Sequence, residues 1–362
     1  MVGVRVISLP GLHSPSHMGS ASRIRSLHRT ASLTGALIAV ALAGAFAAPA
    51  RADTSPVVML VTWRGCEEAC QGFKSALKVR SAAPTIVHRD AGQDAAAIPA
   101  IVDEARRVRP DVVVTWGNEV TLGFIGPIDA VDPKRHLTDI PVVYMYVAEP
   151  VASGIARSAE ETGRPNVAGT DYSVPLSAKF RAMNDYRRLS RLGMLFDPTQ
   201  SGSVERRDAI ASEAAARNVA FVARALPLSS NGRPDPSRID QAVDDLVREG
   251  VDWIYFGVSS FLIENADAFS EAVVRRGVPM FSGGELPVRN AGGLFGLAPS
   301  LHQIGALAAL QVDRILDDPE TAPGSRPVER KVEFQLIVNM RAATALALYP
   351  PLAMFRVLDV VN

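Results

Sequence analysis

Cysteine is nearly absent from these 362 residues: Cys66 and Cys70 are the only two. Histidine is scarce as well, and beyond residue 52 only His88, His136 and His302 remain, far apart in the chain. A metal site needs several such ligands at short spacing, and a nucleophile needs a base within hydrogen-bond reach. Neither a metal centre nor a histidine-activated hydrolase is therefore expected. No G-x-x-x-x-G-K-[ST] phosphate loop occurs, no G-x-G-x-x-G follows the first strand-like run, and neither H-E-x-x-H nor G-x-S-x-G is present. The common nucleotide-binding and hydrolase readings fall away with them, and no cofactor is implied. Paired carboxylates could still serve a glycosidase, but no spacing marks such a pair. Excess charge is lacking too, since 38 Lys and Arg balance 38 Asp and Glu.

One long apolar run is present, from Ala31 to Ala48, preceded by Arg23, Arg25 and Arg29 and followed by Ala48-Pro49-Ala50 and Ala50-Arg51-Ala52. A basic flank, an apolar stretch of about 18 residues and an Ala-x-Ala site together read as a secretory export signal cleaved after Ala52. The run is at the short end of a membrane span, but no charged stop-transfer segment separates it from the cleavage site, and no Cys follows to carry a lipid. Pro10, His13, Pro15 and His17 fit no signal pattern, which makes Met18 a second candidate start. Removing residues 1–52 takes away five arginines and no acid, leaving 33 basic against 38 acidic residues. A mildly acidic, exported chain of about 310 residues is a poor partner for nucleic acid and long enough for two domains. Export to an oxidising compartment leaves two states open for Cys66 and Cys70, a local disulfide or two free thiols on one face. One helical turn would put their Cα atoms about 6 Å apart, within bridging range.

From Pro56 onward, short β-branched runs alternate with helical stretches, the pattern of parallel sheets with crossover helices. Val112-Val113-Val114 is apolar at every position, as expected of a strand covered by helices on both faces. Asp111, Asp139 and Asp252, with Pro110, Pro141 and Pro279, mark helix-to-strand connections. Strand-like runs begin at Val57, Thr85, Val112, Pro141 and Val167, and again at Leu192, Ala220, Trp253, Pro279 and Leu294. Two successive sets imply an α/β protein of two similar lobes. Residues 53–168 with 292–325 are expected to form the first lobe and 169–291 with 326–350 the second, leaving 351–362 as a tail. A final strand and a helix capped by Asn339 are expected within 331–348.

Polar and aromatic residues stand just past the carboxyl ends of these strands, where open α/β sheets bind ligands. Trp63 and Arg64 follow the first strand; Trp116, Asn118 and Glu119 the third; Tyr146 and Glu149 the fourth; Asp171 and Tyr172 the fifth. Ser259, Ser260 and Glu285 hold the corresponding places in the second set. Taken singly, an aromatic there serves a core as readily as a ligand, and a carboxylate is commonly a cap. Aimed together at one cleft, the ten of them other than Arg64 and Glu119 are expected to make the aromatic wall with a few fixed polar groups that a small-molecule pocket needs.

The stretch Ile140 to Gly154, IPVVYMYVAEPVASG, followed by Asn166-Val-Ala-Gly169, resembles the core of the ABC-transporter substrate-binding family that includes tryptophan and tyrosine binders. Gly193 to Pro198, Gly277 to Phe281, Leu336 to Asn339 and Arg341 to Ala345 resemble further family stretches in the same order, across residues 56–350. The resemblance implies a type I periplasmic-binding-protein fold without enzymatic activity. It also implies a monomer that holds a small-molecule ligand between two hinged lobes in the periplasm and delivers it to an ABC permease and its ATPase. At the ligand positions the chain departs from the family: Asn118-Glu119 replace Thr-Pro, Asp171-Tyr172 replace Ser-Asp, and Ser259-Ser260 replace Asp-Asn, while Glu149 matches the family's acid. An amino acid or related amine would need a carboxylate such as Glu149 or Glu285 for its ammonium, with Trp63, Trp116 or Tyr146 stacking on an apolar part. A sensor that presents its closed form to a membrane receptor, and an exported hydrolase using Glu149 and Glu285, are the alternatives.

Overall fold

The structure, a computed structural model, describes residues 55–78, 83–257, 259–330 and 334–362. The expected export signal, residues 1–52, lies outside them. The first set of strands is β1 (Val57–Thr62), β2 (Thr85–Asp90), β3 (Val112–Trp116), β4 (Val142–Met145) and β5 (Val167–Asp171). The second set is β6 (Arg191–Phe196), β7 (Ala220–Ala225), β8 (Trp253–Phe256), β9 (Met280–Ser282) and β10 (Phe295–Ala298). Three short strands follow: β11 (Glu329–Arg330), β12 (Gln335–Asn339) and β13 (Leu358–Val361). In the first lobe the helices are α1 (Glu68–Leu77), α2 (Ile98–Val108) and α3 (Asn118–Ile125), followed by α4 (Leu176–Tyr186), α5 (Ser201–Ala216), α6 (Ile239–Arg248), α7 (Ser260–Glu264), α8 (Ala266–Arg275) and α9 (Leu286–Arg289) in the second. Helix α10 (Leu301–Asp317) returns to the first lobe and α11 (Met340–Ala345) to the second.

Two sheets result, ordered β2-β1-β3-β4-β5-β11 and β7-β6-β8-β9-β10-β12-β13, and only the β10–β12 pair is antiparallel. This is the two-sheet α/β architecture that the alternation implied. Val112, Val113 and Val114 are fully buried, because helices cover both faces of the central strands. The outer strands β2 and β7 are only partly covered and carry the charges of Arg89, Asp90 and Arg224, as befits edges exposed to water. The two lobes repeat a local device as well. Asp111, before β3, accepts a hydrogen bond from the Val57 amide of β1 at 2.8 Å, and Asp252, before β8, accepts one from Ser190 beside β6 at 2.8 Å. Each carboxylate satisfies a strand-end amide that has no ladder partner. Asn339 caps α11 as expected, its side chain accepting from the Ala342 amide at 3.1 Å.

The strand and helix of residues 292–325 separate. Strand β10 pairs with β9 and stays in the second sheet, while α10 crosses to the core of the first lobe with Ile304, Ala308 and Val312. Within 326–350, the two residues of β11 join β5 in the first sheet instead of the second. They are a charged pair too short to show a period. The expected tail is structured, since β13 pairs in parallel with β12 and forms an edge of the second sheet. Its half-exposed residues carry no alternation that a sequence reading could use.

Helix α10 is held by backbone contact with α1. A Cβ on Gly305 would stand 1.9 Å from the Ala69 carbonyl oxygen, and one on Gly72 would stand 2.1 Å from the His302 carbonyl oxygen. Only glycine at both positions lets the two helices approach this closely. Gly305→Ala is expected to force them apart and lower stability by about 1–3 kcal/mol, visible as a fall of several degrees in the thermal denaturation midpoint.

Candidate functional site

Strand order 2-1-3-4-5 in both lobes places a switch point between β1 and β3 and another between β6 and β8, and ligands of open α/β sheets sit beyond the carboxyl ends of such strands. The two switch points face one cleft. From the first lobe it is lined by Trp63 after β1, Trp116 and Gly117 at the end of β3, and Tyr146 and Tyr172 after β4 and β5. The second lobe contributes Gln200 and Ser203 at the start of α5, Phe256, Ser259 and Ser260 after β8, and Ser282 to Gly284 after β9. Leu301 and Ile304 of α10 complete the wall. The cavity measures about 70 Å³, several times the room one water needs.

The rings are stacked against one another. Trp116 and Tyr146 lie 5.0 Å apart at an interplanar angle of 19°, and Tyr146 and Tyr172 lie 4.9 Å apart at 15°. The Arg64 guanidinium rests over the Trp116 ring at 5.2 Å while its nitrogens hold both carboxylate oxygens of Glu67 at 2.8 and 2.9 Å. Tyr146 reaches this position through a left-handed backbone, φ +55°, which a tyrosine adopts only when its surroundings demand it. Gly117, at φ +86°, makes the sharp turn that starts α3 directly beneath the cleft. Cys66 and Cys70 form a disulfide across the first turn of α1, with Cα atoms 5.1 Å apart.

Seven of the ten residues expected to bind ligand line this cleft: Trp63, Trp116, Asn118, Tyr146, Tyr172, Ser259 and Ser260. Two of them have their side-chain polar atoms already committed. Asn118 exchanges hydrogen bonds with the Ala148 backbone at 2.8 and 2.9 Å and donates to Ser153 Oγ at 2.7 Å. Ser259 caps α7 and donates to Asp197 at 3.1 Å. The three expected carboxylates are elsewhere. Glu149 pairs with Arg206 of α5 at 2.9 Å and lines a separate small cavity with Asp171. Asp171 accepts from Ser173 and from Arg330. Glu285 accepts the Leu301 amide at 2.7 Å and pairs with Arg289 at 3.0 Å. Each sits at a strand end, but each satisfies a buried cation or amide of the scaffold, a demand invisible before the helices are packed.

Sequence reasoning passed over Gln200 and Ser282 to Gly284, although they too follow strands of the second lobe. The strand-end rule would have found them; their small or amide side chains drew no attention. It named Arg64 and Glu119 without choosing them. Both line the cleft, and Glu119 is the one carboxylate among the lining residues. Its Oε1 and the Trp63 indole Nε1 are buried with no partner. Burial holds the Glu119 carboxyl above its ordinary range, with Asp197 adding to the rise and the amides of Glu119 and Ser201 opposing it. A buried donor and a buried acceptor without partners therefore stand on residues of the same cleft wall.

The family described as ABC transporter substrate binding protein matches residues 56–351. A curated relative, the "Tyrosine-binding protein" of Clostridioides difficile, is 22% identical over 209 residues, which is 58% of this chain and 57% of that protein. The chain thus spans little more than half the length of that relative. Among solved structures, a conserved domain protein from Vibrio cholerae aligns at TM-score 0.72 with 19% identity, over 85% of this chain and all of that one. A streptococcal ABC domain in complex with L-Trp aligns at TM-score 0.70 with 14% identity, over 84% of this chain and all of that one. These likenesses establish the fold as that of type I periplasmic binding proteins.

The Arg206–Glu149 pair joins the two lobes, and the Arg206 side chain is only 4% exposed. Glu149→Gln takes away that guanidinium's ion-pair partner and leaves only the weaker influence of Asp171. It is expected to cost about 2–3 kcal/mol of stability in urea denaturation, the lower end for a buried pair because Glu149 is partly exposed.

Proposed function

Since the chain belongs to the ABC transporter substrate-binding family, we propose that it captures an amino acid or related amine in the inter-lobe cleft and delivers it to a membrane permease. The observation that carries the ligand class is the combination of a three-ring aromatic wall with two unpartnered polar atoms, Trp63 Nε1 and Glu119 Oε1. An ammonium meets the carboxylate, an acceptor on the same molecule meets the indole N–H, and the apolar part lies against the rings. Glu119 takes the part that Glu149 and Glu285 were expected to play. With those two acids bound to arginines, the hydrolase reading loses its catalytic pair.

Proteins of this family work outside the cytoplasm, and the Cys66–Cys70 bridge suits an oxidising compartment. Among the described residues no helix is long and apolar enough to cross a membrane. The protein acts as a monomer, each copy holding its ligand between its own two lobes while a few hinge residues absorb the closing motion.

Mass spectrometry of small molecules released on denaturing the purified protein should yield a compact amine, and the same compound should raise the melting temperature by mass action. Recovery of and stabilisation by solutes without an amino group alone would sink the reading. Trp116→Ala should weaken binding of the recovered compound about tenfold, roughly 1.4 kcal/mol, in calorimetric titration.

A further inference from the structure

The first turns of α3 and α5, from opposite lobes, pack beside the cleft: a Cβ on Gly202 would stand 2.9 Å from Asn118 Oδ1 and 3.3 Å from the Ala148 Cβ. Three carboxylates converge there, Glu119 from α3, Glu149 from the loop after β4 and Glu205 from α5. Two cations stand near them, Arg206 and the buried Lys179, and both face Glu149, with Arg206 paired to it at 2.9 Å. Glu119 Oε1 and Glu205 Oε2 are both buried without a partner, and so is Ser201 Oγ in the same turn of α5. The charged groups acting on Glu119 and Glu205 themselves are acids, Asp197 after β6 and Asp208 further along α5, while Arg64, on the same cleft wall as Glu119, is paired with Glu67. Ser153, from the first lobe, gives Glu205 its one side-chain hydrogen bond.

A carboxylate oxygen shut away from water without a donor is costly to keep charged, and two on one junction whose cations, Arg206 and Lys179, both face Glu149 are costlier. A proton on each relieves the charge and supplies a donor. We propose that Glu119 and Glu205 take up protons when the lobes come together, so that the ligand-free protein closes in mild acid, and that the ligand's ammonium replaces the proton at Glu119. The second half rests on the amine reading above.

The direction of the linkage follows from the packing. Burial raises both carboxyls; at Glu119 it outweighs the opposing amides of Glu119 and Ser201, with Asp197 adding to the rise, and at Glu205 Glu119, Glu149 and Asp208 add to it against the Ser153 hydrogen bond. With the lobes apart, both groups return to water and to the ordinary carboxylate value. The protonated contribution to closure is therefore complete below that ordinary value and lost as pH rises through the raised one.

Small-angle X-ray scattering of the ligand-free purified protein at about pH 8 and about pH 5 reads the closed fraction directly. The wild type should become more compact in acid, the closed-to-open ratio rising up to about tenfold for each carboxyl whose pKa rises by one unit on closure. The Glu119→Gln/Glu205→Gln double variant, neutral at every pH, should be compact under both conditions, while Glu320→Gln, an exposed acid outside this junction, should respond as the wild type does. A wild-type radius of gyration unchanged between the two conditions overturns the proposal, and so does a double variant that still responds. If the double variant fails to fold by circular dichroism, the wild-type titration alone decides. No ligand enters the experiment, so its failure leaves the binding reading standing, and that reading fails instead on the compounds released by denaturation.

Discussion

The backbone contact of α1 with α10 at Gly72 and Gly305 is the constraint on which the rest of the molecule depends. Helix α10 follows β10 of the second sheet, yet its apolar face, Ile304, Ala308 and Val312, is buried in the core of the first lobe. The chain must therefore cross back, and Leu301 and Ile304 enter the cleft wall at the point of crossing. Glu285 secures the crossing from the other lobe by accepting the Leu301 amide. The crossing keeps the two switch points facing each other across the cleft.

In and around the cleft, polar side chains divide by whether their partners are already present. Asn118, Ser259, Glu149 and Glu285 are satisfied by the protein itself and hold its parts in place. Trp63 Nε1 and Glu119 Oε1 are not, and these are the atoms at which a ligand gains most, because an unmet buried donor or acceptor costs more than a made hydrogen bond contributes. The stacked rings of Trp116, Tyr146 and Tyr172 add area without adding charge, and Arg64, neutralised by Glu67, extends the stack.

The family resemblance and the alternation of apolar runs with helical stretches placed the ten main strands nearly where they are, because a strand buried on both faces must be apolar throughout. Val112 to Trp116 is legible for that reason. Strands β11 and β13 were not, being a charged dipeptide and a half-exposed edge whose pairing is set by neighbours far along the chain. The aromatic members of the site were legible because a large ring just past a central strand has few places to go. The acids were not: Glu119, Glu149 and Glu285 look alike in sequence, and only Arg206 and Arg289, brought in by other helices, tell them apart.

By itself the amino-acid sequence determined the class of fold, the direction of the strands and the end of the sheets at which the cleft opens, since these follow from periodicity and short-range connection. The tertiary structure alone decided which lobe each late element joins, which carboxylate stays free, and that Cys66 and Cys70 are bridged. Those outcomes depend on burial and on partners distant in the chain, and a side chain's charge state or hydrogen bond is undefined until the groups that surround it have arrived.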